Sequence, residues 1–214
     1  MAKVYFFKKS KSQPEDLKGL ERLFDAAALN NLIVKDDIVA LKIHFGERGN
    51  NAYIKPPFAK CIVDKVKSLG GKPFLTDANT LYPGGRSETS NHIETAIQHG
   101  FTYDAIGASV IIADGLRGED SKKIQVNLKH FKEVIIASHA LQCNSMIVLT
   151  HFKGHDMTGF GGTLKNLGMG LGTREGKRAM HEDVSSTPAL QERIVEYAFG
   201  VIKEKEGKIG YLNF

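Results

Sequence analysis

The chain has 214 residues, of which 42% are hydrophobic and 25% are charged, and it contains two cysteines, Cys61 and Cys143. These proportions are typical of a globular domain, so they exclude a disordered tail, a collagen-like repeat and a coiled coil. Two thiols are too few for a disulfide framework, a four-cysteine zinc site or an iron–sulfur cluster within this chain. The N-terminal apolar run is too short for a signal peptide or a membrane span, so we predict a cytoplasmic protein with no membrane partner.

The positive charge is concentrated in one segment. Lys and Arg outnumber Asp and Glu by 29 to 24, which gives a net charge of +5. Residues 151–181 hold five Lys or Arg and two acids, so more than half of that excess lies in 31 residues. Such a segment suits an anionic ligand, and the alternative is a solvated loop face. Because the chain has no block of five Lys or Arg, the sequence does not favour a nucleic-acid partner.

The spacing of apolar residues switches repeatedly between the strand period and the helix period. Strands are predicted at 2–8, 37–44, 72–76, 109–113, 122–127, 133–138, 145–150 and 207–214. Helices are predicted after Pro14, at 56–69, at 88–99, near Gly162, and after Thr187 as N-cap with Pro188 in the first turn. This alternation is typical of an α/β fold with a mostly parallel or mixed central sheet and helices on both faces, here one domain over residues 1–214.

Two features of the element order depart from simple alternation. No helix separates the predicted strands at 122–127 and 133–138, so we expect an antiparallel or mixed excursion there. The last predicted strand, 207–214, begins where a domain would be expected to stop. Two alternatives follow: this strand is a natural sheet edge, or the chain is a fragment of a longer protein.

The densest group of polar and glycine residues, 151–183, directly follows the predicted strand 145–150. Ligands bind at the carboxyl ends of strands in open α/β sheets. Eight glycines lie between Gly154 and Gly176, and such a backbone can approach a ligand closely and direct N–H groups at it. A helix beginning near Gly162 would add a dipole that favours phosphate or carboxylate. The segment matches neither the P-loop nor the dinucleotide fingerprint, and a packing loop is the alternative.

Three histidines of this segment, His151, His155 and His181, can be bases, metal ligands or structural residues. The spacing of His151 and His155 would place both on one face of a helix, but Gly154 argues against a helix there. A metal site made by the three histidines alone is therefore the minor alternative.

A second polar loop, residues 76–89, also follows a predicted strand. It offers an acid, an amide, a hydroxyl and a guanidinium, on Asp77, Asn79, Thr80 and Arg86. The equally weighted alternative is a turn in which Asp77 caps the backbone. Weaker candidate loops lie at 44–48 and 114–118. If the four preceding strands are parallel, all four loops meet on one rim of the sheet. Separately, the sequence places the two cysteines in the core.

Three long motifs carry a resemblance to a known family: KGHDMTGFGGTLKNLGMG, GKRAMHED and TDANTLYPGGR. They resemble the domain-of-unknown-function 362 family, whose members are often labelled iron–sulfur-centre proteins, and the resemblance covers nearly the whole chain. In many members a cysteine-rich segment follows this region. The resemblance therefore implies that the native chain is longer, that any iron–sulfur cluster lies in that extension, and that an electron-transfer protein is a candidate partner.

The same region is similar, more distantly, to lactate racemase and its relatives. Those proteins carry a histidine, a Gly-Phe-Gly-Gly-like loop with a lysine joined to a nickel-pincer nucleotide, and a later histidine that binds the nickel. The matching residues here are His155, residues 159–162, Lys165 and His181. An acid-hydroxyl-arginine loop of those enzymes matches Asp77, Thr80 and Arg86 more loosely, because the arginine lies later. The resemblance implies a nickel-pincer nucleotide as cofactor, with His181 as metal ligand.

We expect these residues to converge on one rim pocket for a small anionic ligand: a phosphate, a carboxylate or a nucleotide. Acid–base roles are predicted for His155, His181 and Asp77, and binding roles for Gly159, Gly161, Gly162, Lys165 and Asn166. Two classes of function stay open. One is a cofactor-binding domain or enzyme, redox-linked or racemase-like. The other is a non-enzymatic module that docks an electron-transfer protein or binds nucleic acid, which a flat basic face with Lys165 in a salt bridge would favour.

Overall fold

A computed structural model describes residues 3–10, 12–155, 159–182, 184 and 186–214. The strands are β1 (Ile38–Lys42), β2 (Lys72–Asp77), β3 (Ser109–Ile112), β4 (Ser121–Gln125), β5 (Glu133–Ala137), β6 (Ser145–Thr150), β7 (Lys153–His155), β8 (Gly159–Gly161) and β9 (Ile209–Asn213). The helices are α1 (Gln13–Ala26), α2 (Pro56–Ser68), α3 (Thr89–Gln98), α4 (Tyr103–Ile106), α5 (Ser138–Leu141), α6 (Thr163–Leu171), α7 (Arg174–His181) and α8 (Thr187–Glu204), with a 3₁₀ turn at Leu29–Leu32. None of the described helices is long and apolar enough to cross a membrane.

Five of these strands form a central sheet in the order β3-β2-β1-β6-β9. Every neighbouring pair in it is parallel. The predicted excursion is an antiparallel pair, β4 with β5, and β7 pairs antiparallel with β8. The predicted α/β class is therefore confirmed, and so is the strand near the end of the chain, which lies at one sheet edge beside β6.

Alternate residues of β1 point to two separate cores. Leu41 of β1 packs with apolar side chains of α1 and α2, while Ala40 packs with those of α6 and α8. Helices thus cover both faces, as parallel strands with continuous apolar sequence require. Lys42 has the same parity as Ala40, which places a lysine on the α6 side of the sheet.

The predicted first strand is wrong over residues 3–8, which have no strand structure, while Ala2 lies outside the described residues. Val4 and Phe6 are largely exposed, and Phe7 packs beside Gly19 of α1. The apolar run is present, but residues 3–8 pair with none of the described strands. The predicted N-cap of α8 is also displaced by one residue, because the Ser186 hydroxyl, rather than Thr187, accepts from the Ala189 N–H.

Because the four strands are parallel, their carboxyl ends lie at one edge of the sheet. The loops that follow β1, β2, β3 and β6 therefore share a rim, as predicted. Helix α6 begins at this rim and packs closely on α8. A Cβ at Gly168 would lie 2.1 Å from the Ile194 carbonyl oxygen, so glycine is required for the helices to approach this closely.

We predict that Gly168→Ala lowers the free energy of unfolding by about 1–3 kcal/mol, because the added methyl group must separate α6 from α8. Urea denaturation would measure the change. Gly154→Ala is the matched control, since a Cβ there meets nothing within 4 Å. Equal stability of the two variants would contradict the packing described here.

Candidate functional site

A cavity of about 380 Å³ opens at the rim of the sheet. The predicted site residues that line it are Asp77, His155, Gly161, Gly162, Lys165, Asn166 and His181. Gly159 begins β8 with a φ of +67° and lies outside the described lining. The loop after β1 contributes His44 and Glu47, whereas the loop 114–118 does not reach the cavity. The structure thus brings together most of the predicted site, and the chemical roles of its members stay predictions.

A buried ion network lies beneath this cavity. The Asp77 carboxylate, at the end of β2, lies 3.0 Å from Lys42 Nζ through one oxygen and accepts from Arg86 Nη1 at 3.0 Å through the other. All three side chains are at least nine-tenths buried. Burial alone would raise the pKa of Asp77, but the two cations hold it well below its usual range. Asp77 is therefore an anion with both oxygens in ion pairs.

The network continues towards the surface and into the fold. Arg86 Nε donates to Glu47 Oε1 at 3.0 Å, so both charged groups that accept hydrogen bonds from Arg86 are carboxylates. His92 is fully buried, with Nε2 3.7 Å from the second oxygen of Asp77. Burial lowers the pKa of His92 to about 3, against the attraction of Asp77, so the ring is neutral near pH 7.

Asn166 fastens α6 to this network. Its Oδ1 accepts from Lys42 Nζ at 2.5 Å, and its Nδ2 donates to the Leu149 carbonyl and the Thr150 hydroxyl, each at 3.0 Å. A Cβ at Gly170, one turn further along α6, would lie 2.6 Å from Lys42 Nζ. The amide predicted to bind a ligand is thus used to position the first turn of α6 at the end of β6.

Lys165 lies one residue before this anchor and lines the cavity. Among the described residues its amine has no hydrogen-bond partner and no carboxylate within 4.0 Å, and the side chain is half-buried. Burial, and secondarily the charge of Lys153, lower the pKa of Lys165 to about 8. An amine held without a counterion in this setting can bind an anion or, when neutral, act as a nucleophile.

The N-terminus of α6 would also be stabilised by an anion. Gly162 is its extended N-cap residue, and no described side chain caps the helix. Backbone N–H groups of a first turn have no partner within the helix, and the helix dipole favours negative charge there. Gly161 and Gly162 both line the cavity, so this backbone borders the space that Lys165 also borders.

The histidines occupy different positions. His181 ends α7 with Nδ1 2.8 Å from the Lys177 carbonyl, which accepts only, so Nδ1 carries the proton and Nε2 is the lone-pair nitrogen of the neutral ring. His155 ends β7, and His151 precedes that strand. Neither histidine lies on a helix, which agrees with the expectation drawn from Gly154. Within the part of the chain that is described, no group of three or more His, Cys, Asp or Glu side chains is arranged to hold a metal ion.

Sequence reasoning missed Lys42 and His92, and it counted Lys177 only as part of a basic stretch. Lys177, in the first turn of α7, is 5% exposed, lines the cavity and donates to the Gly172 carbonyl. Burial lowers its pKa to about 8, against the attraction of Asp114 and Asp77. A lysine near the end of an apolar run, as in IVALK, was the available signal for Lys42, since only a buried partner makes that position tolerable.

The loops that do not line the cavity support it. Asp114, after β3, accepts from the Asn79 backbone N–H and side-chain amide, at 3.0 Å each.

Cys61 and Cys143 are buried in the two different cores, and burial raises the pKa of each thiol. Two buried thiols in separate cores do not fit an iron–sulfur cluster.

Comparisons with known proteins agree with these features. A family model described as "Domain of unknown function (DUF362)" matches residues 39–214. No curated protein matches the sequence.

Two solved structures share the fold at low sequence identity. The lactate racemase apoprotein from Thermoanaerobacterium thermosaccharolyticum is 12% identical, with a TM-score of 0.57 over 86% of this chain and 44% of that one. A protein from Thermotoga maritima is 14% identical, with a TM-score of 0.60 over 98% of this chain and 52% of that one. The chain thus spans about half the length of these neighbours, and the likeness concerns the fold.

We predict that Asp77→Asn lowers the free energy of unfolding by about 3–5 kcal/mol, because two buried cations lose their shared anion. The pKa of Asp77 is depressed by folding, so its contribution is complete above the unfolded value and declines as the pH falls below about 4. Denaturant titrations at pH 7 and pH 3 would show a smaller difference between variant and wild type at pH 3.

The control is Asp64→Asn, which removes an exposed pair with Lys60 and should cost less than about 1 kcal/mol. If Asp77→Asn were no more harmful than this control, the ion network would not hold the rim together.

Proposed function

We propose that this chain, which belongs to the DUF362 family, binds a small anionic ligand in the rim cavity through Lys165 and the N-terminus of α6. One observation carries the proposal: Lys165 is half-buried, lines the cavity and has no described counterion. Burying a cation without a counterion is costly, so its retention at a cavity is best explained by an anion that binds there.

The surrounding charges support this assignment. The two carboxylates that line the cavity among the described residues, Asp77 and Glu47, both accept hydrogen bonds from Arg86. They therefore do not serve as counterions for Lys165. The uncapped start of α6 adds a positive dipole end and backbone donors on the same side.

The chemistry beyond binding rests on His155 and His181. Both line the cavity, and an imidazole can exchange a proton with a bound acid near neutral pH. We therefore favour an enzyme or cofactor-binding domain over a docking module. A flat basic face with Lys165 in a salt bridge would have favoured a module that docks an electron-transfer protein or binds nucleic acid. Lys165 instead lines a cavity and has no salt bridge with any described carboxylate.

The cofactor implied by the lactate racemase resemblance fits the residues present. Lys165 supplies an amine that has no partner among the described residues, and His181 supplies a lone pair on Nε2, because its Nδ1 is used by the Lys177 carbonyl. When bound, a nickel-pincer nucleotide would supply the site with a hydride acceptor. The polypeptide's own part would then be to hold the anionic group at the start of α6, while His155, which also lines the cavity, would exchange the proton.

We predict that Lys165→Met weakens sulfate binding at pH 7 by at least about tenfold, because a charge-assisted contact is lost. Isothermal titration would measure this. The thermal midpoint of the variant should rise rather than fall, because folding lowers the pKa of Lys165 and so disfavours its charged form at pH 7.

The matched control is Lys18→Met, which removes the same charge from an exposed position of α1. It should leave the affinity for sulfate unchanged. If both variants lost the same amount of sulfate affinity, the effect would come from net charge alone and the assignment of Lys165 would be wrong. Equal affinity in Lys165→Met and wild type would refute the proposal.

The binding should also depend on pH. Sulfate stays fully ionised, whereas the pKa of Lys165 is about 8, so the affinity should fall between pH 7 and pH 9 as the ammonium loses its proton. Lys165→Arg keeps its charge over this range and should show a smaller fall. A wild-type affinity that is constant from pH 7 to pH 9 would contradict the assignment of Lys165.

A further inference from the structure

We propose that the cavity selects a ligand with two anionic groups on one short carbon skeleton, one held by Lys165 and the other by Lys177. Dicarboxylates are the simplest members of this class. The inference rests on the proposed function, because it specifies the ligand of the same cavity.

The first argument is the charge of the cavity wall. Among the described residues, the cationic side chains that line it are Arg86, Lys153, Lys165 and Lys177, and the carboxylates are Asp77 and Glu47. The wall therefore has two more positive than negative charges. Both carboxylates contact Arg86, and Asp77 also contacts Lys42. The excess positive charge therefore lies on Lys153, Lys165 and Lys177 rather than on Arg86.

The second argument is the setting of Lys177. Its side chain is more than nine-tenths buried, and no carboxylate of the described residues lies within 4.0 Å of its amine. Asp114 attracts it from a greater distance, but that carboxylate is bound by the Asn79 amide groups. A buried ammonium that borders a cavity without a contacting anion is the arrangement expected of a ligand-binding cation.

A purely structural role is the competing explanation. The Lys177 ammonium donates to the carbonyl of Gly172, the C-cap residue of α6, and a lysine at a helix C-terminus stabilises that end. One hydrogen bond uses one of the three N–H donors of an ammonium, however. A capping role also needs no contact with the cavity, which Lys177 lines.

The positions of the two amines favour one ligand with separated charges. Lys165 is in the first turn of α6 and half-exposed, whereas Lys177 is in the first turn of α7 and buried. The two amines therefore lie on different helices of the cavity wall, one partly open to solvent and the other buried. A cavity of about 380 Å³ has room for more than a single inorganic anion.

The test compares carbon-matched acids at pH 7 by isothermal titration: malonate, succinate and glutarate against propionate, butyrate and valerate. We expect the best dicarboxylate to bind wild type at least about tenfold more tightly than its monocarboxylate partner. In Lys177→Gln, which keeps a donor for the Gly172 carbonyl but loses the charge, the preference should fall to about threefold or less. The monocarboxylate affinity should stay within about threefold of wild type, because Lys165 is intact.

Lys18→Met should keep the full preference, and a thermal melt of Lys177→Gln would establish that it is folded. If that variant does not fold, the wild-type comparison still decides. Wild type that binds no sulfate would refute the proposed function itself. If wild type binds sulfate but binds dicarboxylates no more tightly than monocarboxylates, this inference alone is overturned. The same holds if Lys177→Gln lowers the affinity for both classes of acid equally.

Discussion

The rim of this fold depends on one carboxylate. Asp77 joins Lys42 of β1, its own strand β2 and Arg86 of the following loop, and Lys42 extends the connection to Asn166 of α6. These contacts are buried, so solvent screens them little, and removal of Asp77 would leave the buried Lys42 ammonium without a contacting carboxylate among the described residues. Three regions that are distant in sequence, β1, β2 with its following loop, and α6, are thereby held in one arrangement, which fixes where α6 begins.

The ionic groups of the rim divide into two sets. Lys42, Asp77, Arg86 and Glu47 compensate one another through direct contacts. Lys165 and Lys177 have no such carboxylate among the described residues, although both border the cavity. Folding therefore tolerates two disfavoured ammonium groups beside a cavity in which a ligand could compensate their charge. Stability given up at a cavity in this way is typical of a binding site.

The sequence predicted the fold well because buried parallel strands read as continuous apolar runs, as in SMIVLT, and glycine and proline mark the helix ends. It predicted the rim because parallel strands place their carboxyl ends together. It did not predict the ionic support, since the role of Lys42 depends on Asp77, 35 residues later in the chain. The strand prediction for residues 3–8 was wrong for a related reason: an apolar run is a local signal, whereas a strand also needs a neighbouring strand.

The central claim is that Lys165 and the start of α6 hold an anion in the rim cavity. Anomalous diffraction from crystals soaked in selenate tests it most directly, because selenium locates the anion without assumptions about the ligand. The account predicts a selenium peak in contact with Lys165 Nζ and the backbone N–H groups that follow Gly162, and its loss in Lys165→Met. Selenate bound elsewhere, with none in the cavity of the wild-type protein, would contradict the account.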